Sequence, residues 1–258
     1  MALIKLFKVL LFVVLGVVSN VQAGGFSIFS PLVEEGEIAI ELRYADVIKA
    51  ESNEEGASSM VLALEWSISE NWRLEFVTEY ETPAAGSTEH EAYEIEFVRN
   101  LTEQGEDGVS YSSAVVFAAG YASEETAADT IELGYYYEKG LGEKEGKSVE
   151  ASYPSSFTLN IKLEDQQGSN VESGIEVGYG VQYKTEFSGE MQIGVELYGE
   201  ISEEASSFDK QEHLAGPVLF GEIELGKESE LSYQIGYLLG LSDAAADGVF
   251  KLNLVYEF

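Results

Sequence analysis

The chain has no cysteine, four prolines, two histidines and only 14 lysines and arginines in 258 residues. Without cysteine there are no disulfides, no thiolate metal centres, no thiol nucleophiles and no lipid-bearing N-terminal cysteine. The shortage of cations is as telling. Against 14 basic residues stand 47 acidic ones, a formal charge of −33. A protein that binds nucleic acid by neutralising phosphates needs the opposite sign. Long apolar runs are missing after the first two dozen residues, so no later segment spans a bilayer as a helix. No repeat of 20–50 residues stands out, which argues against a solenoid or propeller. Acidic chains can be disordered, but 45% hydrophobic residues with 15 Tyr and 13 Phe make this a folding composition.

What is present begins with an export pattern. Lys5 and Lys8 precede the apolar run Val9 to Val18, and Val21-Gln22-Ala23 supplies small residues at the expected cleavage positions. The run is short for a membrane-spanning helix. Residues 1–23 therefore read as a signal peptide and 24–258 as one domain, with no linker dividing it.

From Gly36 to Phe258 the dominant signal is alternation with a period of two. Ile38, Ile40, Leu42 and Tyr44 face one way, and Glu37, Glu41 and Arg43 the other. Met60, Leu62, Leu64, Trp66 and Ile68 oppose Ala63 and Glu65. Trp72, Leu74, Phe76 and Tyr80 oppose Arg73, Glu75 and Glu79. Similar runs recur to the last residue, where Phe250, Leu252, Leu254, Tyr256 and Phe258 oppose Lys251, Asn253 and Glu257. Apolar residues spaced three and four apart, as a helix requires, are absent. The count is twelve strands, with the face of the tenth left open by Pro217.

Alternation alone fits a soluble sandwich or a membrane barrel. Strands of about ten residues suit a tilted membrane span. An even strand number suits a barrel with both ends on one side. Aromatics gather at strand ends: Trp66, Trp72, Tyr137, Tyr183, Tyr233, Tyr256 and Phe258 toward one rim, Tyr44, Tyr80, Tyr93 and Tyr121 toward the other. Such rings have an apolar body and a wet tip, which interfaces favour. The expected fold is all-β, a transmembrane antiparallel up-and-down barrel of about 12 strands with periplasmic termini.

The terminal stretch Leu252 to Phe258, closing on Tyr256 and Phe258 with apolar residues at alternate places, resembles the last-strand signature of bacterial outer-membrane barrels. That resemblance implies recognition by the outer-membrane assembly machinery, escort by periplasmic chaperones, and residence in the outer membrane against its lipid. The stretch from Leu214-Ala215-Gly216-Pro217 to Phe258 also resembles outer-membrane barrels grouped with phenol meta-pathway transport proteins. That second resemblance implies an aromatic or otherwise apolar solute.

The polar face predicts the lumen lining: Glu41, Arg43, Glu65, Arg73, Glu75, Glu79, Glu94, Glu96, Glu132, Glu176, Glu196 and Lys251. Carboxylates facing a water-filled lumen would concentrate cations. The expected function is passive passage of small solutes with a cation preference. The alternative is a closed structural or surface-interaction barrel, its interior knitted by Glu–Arg pairs. An acidic lumen suits cations better than apolar cargo, so composition and the second resemblance pull apart. No GxSxG or HExxH motif occurs. His90 and His213, with Ser87 and Asp209 near them in sequence, are the sole candidates for a catalytic pair, and the expectation is no enzyme, no cofactor and no metal site. The acidic links around Glu54, Glu124 and Glu203 lack the spacing of a calcium loop.

Overall fold

The computed structural model describes residues 26–49, 56–105, 110–123, 129–142, 153–167, 175–188, 191–201, 207–226 and 229–258. The signal-peptide expectation and most of the acidic links lie outside the described residues. Twelve strands form one closed antiparallel barrel in which every strand pairs with its sequence neighbours and β1 closes onto β12. They are β1 (Ile38–Lys49), β2 (Ser58–Ser69), β3 (Trp72–Thr82), β4 (Glu89–Thr102), β5 (Ser112–Ala122) and β6 (Asp129–Leu141). The second half comprises β7 (Ser155–Gln167), β8 (Ile175–Ser188), β9 (Met191–Ile201), β10 (His213–Glu224), β11 (Glu230–Gly240) and β12 (Gly248–Glu257). A 3₁₀ turn, Phe208–Lys210, lies between β9 and β10. No described helix is long and apolar enough to cross a membrane, which says nothing about strands.

Closure is fixed by the pairing Ile40 with Tyr256 and Leu42 with Leu254, and the Phe258 N–H donates to the Ile38 carbonyl at 3.0 Å. The start of β1 and the end of β12 thus meet at one rim, called here the terminal end. The last residues of β1, β3, β5, β7, β9 and β11 lie at the far end.

A period of two puts alternate side chains on opposite walls. The outer wall is a belt of exposed apolar residues, with Leu64, Phe76, Phe117, Leu133, Val195 and Ile235 all 41–56% exposed. The inner wall carries the charges. The sequence assigns both faces correctly, and the fold resolves the tenth strand. Leu214 pairs with Tyr198 and Val218 with Gly194, so Leu214 and Val218 face inward while Pro217 turns outward beside Val195. Pro217 carries no N–H, and the β10–β11 register skips Gly216 and Pro217.

The segment ahead of β1, which the alternation does not cover, forms no strand. Gly36, with φ of +87°, turns the chain where a side chain would be strained, and its N–H donates to the Ser67 carbonyl at 3.0 Å. Residues 26–35 thereby fold back into the barrel.

Candidate functional site

The inside of a barrel is the place where this sequence concentrates chemistry, and its occupancy decides what it can do. The folded-back segment lies against inward-facing side chains from most of the wall. Asn160 on β7 holds the Phe29 backbone twice: its Oδ1 accepts from Phe29 N–H at 2.7 Å and its Nδ2 donates to the Phe29 carbonyl at 2.9 Å. Asn253 on β12 donates to Ser27 Oγ at 2.6 Å, and Asn100 on β4 donates to the Pro31 carbonyl at 3.0 Å. A segment inside a lumen has no paired neighbour, so its backbone needs side-chain partners; Asn160 and Asn100 supply them, and Asn253 holds the Ser27 side chain.

Packing follows the same path. The Phe29 ring stacks on Tyr136 at 5.6 Å, and the Arg43 guanidinium lies 4.6 Å from its centroid. Phe26 meets Tyr198 edge-on at 5.2 Å. Ile28 is buried among Ala45, Val47, Tyr198, Leu214 and Leu238, toward the far end. Val33 packs with Phe29 against Val98, Ala114, Val116 and Tyr136, toward the terminal end. Gly180 on β8 makes this possible: a Cβ there would stand 2.8 Å from Ile28 Cγ1.

The predicted lining residues lie on the inner wall; eight of the twelve fall into three ion-paired groups, and Glu79, Glu94, Glu96 and Glu176 line the cavity described below. Arg43 Nη2 bonds Glu41 at 2.7 Å and also Glu75, while Arg73 pairs with Glu65 at 3.2 Å. On the strand beside β1, Lys251 Nζ bonds Glu196 of β9 at 2.7 Å and Tyr198 at 3.0 Å, and Glu196 also accepts from Gln182 at 2.9 Å and Tyr198 at 2.8 Å. Lys162 pairs with Glu132 at 3.1 Å. The expectation of carboxylates bathed in water is corrected for most of these. Glu41, Glu65, Glu75, Glu96, Glu132 and Glu196 are all buried, and Lys251 is fully so. Removing charge from water is costly unless it is paired, which accounts for the partners. Just ahead of β1, burial pushes the Glu37 carboxyl above its ordinary range, Arg73 pulls against that shift and Glu34 adds to it.

Above the segment the lumen opens. A cavity of about 560 Å³ is walled by β3 to β9 together with Arg43 of β1 and Leu214 of β10, with Phe26, Ser27 and Phe29 among its lining. Glu79, Glu94, Glu96, Glu132 and Glu176 line it, together with Glu81, Glu91, Glu164, Glu200 and Glu212, which the sequence reading did not single out. Two cations, Arg43 and Lys162, share the wall. The cavity is a cup at the far half of the barrel, and the terminal half is packed.

Three carboxylates, Glu41, Glu65 and Glu75, converge closely enough to hold an ion, but Arg43 and Arg73 already bond them. The histidines sit elsewhere. His90 Nε2 bonds Thr78 at 2.9 Å and its Nδ1 bonds Ser123; His213 Nδ1 bonds Tyr179 at 2.9 Å under a stacked Phe208 ring. Ser87 and Asp209 are not among those partners.

The sequence reading missed residues 26–35. Their signal is thin: an apolar, proline-interrupted stretch, Phe26 to Val33, and inward asparagines that a lipid or water boundary would not require.

No protein-family model matches the chain, and no curated protein matches it. Solved structures do resemble it. The COG4313 outer membrane channel from Pseudomonas putida F1 is 14% identical, with a TM-score of 0.54 over 92% of this chain and 99% of that one. The NanC porin is 6% identical, with a TM-score of 0.54 over 86% of this chain and 98% of that one. The KdgM porin in complex with disordered oligogalacturonate is 10% identical, with a TM-score of 0.53 over 86% and 99%. At these identities the likeness is one of fold, and this chain shares the 12-stranded barrel of outer-membrane porins and channels.

Proposed function

We propose that this protein is an outer-membrane channel with a cation-favouring lumen, narrowed from within by its own N-terminal segment. The terminal end faces the periplasm and the cup faces outward. The apolar belt supports the membrane placement, because an exposed wall of this size is unfavourable in water and favourable against lipid. The observation that carries the selectivity is the lining of the cup: ten glutamates against Arg43 and Lys162. In a recess with low-dielectric walls such a field draws cations and repels anions. It separates this barrel from the KdgM porin, whose recorded ligand, oligogalacturonate, is itself a polyanion. It also argues against an apolar solute passing through the cup.

The test is conductance in a planar bilayer under a salt gradient, on refolded protein. Wild type gives small cation-selective steps, and deletion of residues 26–33 enlarges them. The closed structural barrel remains the second reading, favoured by the packed terminal half. Silence from both wild type and deletion, with both migrating as folded barrels on unheated gels, would select it. Anion-selective steps would overturn the charge argument.

A further inference from the structure

The strand register carries a row of acids from one end of the lumen to the other. Glu65 on β2 pairs with Glu75 on β3, and Glu75 with Glu96 on β4. Glu96 pairs with Ala118 on β5, and Ala118 with Glu132 on β6. Glu132 then pairs with Glu164 on β7, and Glu164 with Glu176 on β8. Strands in a closed barrel are tilted and staggered, so a row of paired residues climbs the wall. Glu75 lies three residues from the terminal end of β3, and Glu164 three residues from the far end of β7. Directly paired side chains stand about 5 Å apart at Cβ, so neighbouring carboxyls can reach one another or share one water. Glu132, Glu164 and Glu176 line the cup, Glu96 stands at its floor, and Glu75 and Glu65 are buried below.

A second observation concerns the buried stretch of this row. Among the described residues, Glu75 Oε2 and Glu96 Oε1 are acceptors without a hydrogen-bond donor. Arg43 Nε and Arg73 Nε and Nη2 are donors without an acceptor, and the Tyr136 hydroxyl, fully buried, has no partner of either kind. These groups share one neighbourhood. Arg43 bonds Glu75, and the Arg73 guanidinium interacts electrostatically with Glu65, Glu75, Glu96 and Tyr136. A metal ion or an ammonium would satisfy only the acceptors, and the two guanidiniums repel it. An anion would satisfy only the donors. Water both donates and accepts, and it is the usual partner of enclosed polar groups that the protein leaves unpaired.

We infer that enclosed waters bridge these groups, and that the row with its waters conducts protons between the cup and the terminal end while residues 26–35 stay in place. A carboxyl gives its proton to a bridging water, and that water gives one of its own to the next carboxylate. Each transfer breaks one O–H bond and forms another, so no oxidant or reductant is needed. The inference rests on the proposed channel reading for its direction across the membrane. Protons need only the waters and carboxyls, so it can fail separately from the passage of larger ions.

The experiment reads proton entry into vesicles that hold the refolded full chain and a trapped pH-sensitive dye, after a step in external pH. K⁺ conductance of the same protein is read in planar bilayers. Wild type is expected to pass protons faster than empty vesicles do. Glu96→Gln takes a titrating oxygen out of the middle of the row and should lower the ratio of proton to K⁺ flux by about tenfold or more. Because Glu96 is buried, Tyr136→Phe is the second variant. Its ring still stacks on Phe29 and only the unpartnered hydroxyl is lost, so the barrel should migrate as folded while the same ratio falls. Proton entry no faster than in empty vesicles, or a ratio unchanged in either folded variant, would overturn the inference. A barrel that passes protons in this pattern but never gives K⁺ steps would overturn the channel reading and leave this one standing.

Discussion

Lys251 shows what a single residue does inside this barrel. Its ammonium is fully buried and bonds Glu196 and Tyr198 at 2.7 and 3.0 Å. Substitution of Lys251 by Met would leave the buried Glu196 carboxylate without its counter-charge. Breaking one side of a buried pair typically costs about 3–5 kcal/mol. We expect K251M to lower clearly the temperature at which the barrel unfolds in SDS, read by gel mobility, and a paired E196Q/K251M variant to recover most of that loss. Gly180 is the steric counterpart. Leucine there would collide with Ile28, so G180L is expected to displace the N-terminal segment while the barrel still closes. Proteolysis of residues 26–33 in the folded protein would then be faster than in wild type. Both roles escape sequence reading: alternation puts Lys251 on the inner wall, but says nothing of the partner that it or Gly180 would meet there.

At the scale of elements, the strands were legible and their contents were not. Gly36 to Val47 alternates strongly enough to announce β1, and the observed strand, Ile38–Lys49, differs only at its ends. β10 was ambiguous because Pro217 interrupts the pattern, and its face became fixed only when Leu214 paired with Tyr198. The N-terminal segment was invisible for a physical reason. It has no period, and it is held by Asn100 and Asn160 through its backbone and by Asn253 chiefly through the Ser27 hydroxyl, all far from it in sequence. Asn160 holds both the N–H and the carbonyl of Phe29, so N160L should unseat the segment without touching the strand ladder. The expected outcome is larger or noisier conductance steps than wild type, with unchanged heat-modifiability. Unaltered steps would mean that the segment does not limit passage.

For the whole molecule, the decisive contrast is between two walls. Phe117, at the middle of β5, is 51% exposed on the outer one. A charge placed at the middle of a lipid-facing wall costs about 2–4 kcal/mol. F117R should therefore reduce stability in lipid bilayers more than in detergent micelles, measured by denaturant titration of tryptophan fluorescence. If the wall faced water instead, the substitution would be nearly neutral. Mass gel mobility gives the complementary check: an unheated sample should run apart from a boiled one, as a closed barrel resists SDS.

The sequence by itself determined the two-faced strand, the number of strands and which residues face inward. Those properties follow from local alternation, and a period of two survives any tertiary arrangement. Tertiary structure alone decided that most inward carboxylates are paired and buried, that the lumen is packed in one half and open in the other, and that the N-terminal segment lies inside it. Each of these depends on residues brought together by closure. Arg43 with Glu75, Lys251 with Glu196 and Asn253 with Ser27 are separated by 32, 55 and 226 positions. No periodicity encodes such distances; the circular geometry of the closed sheet does.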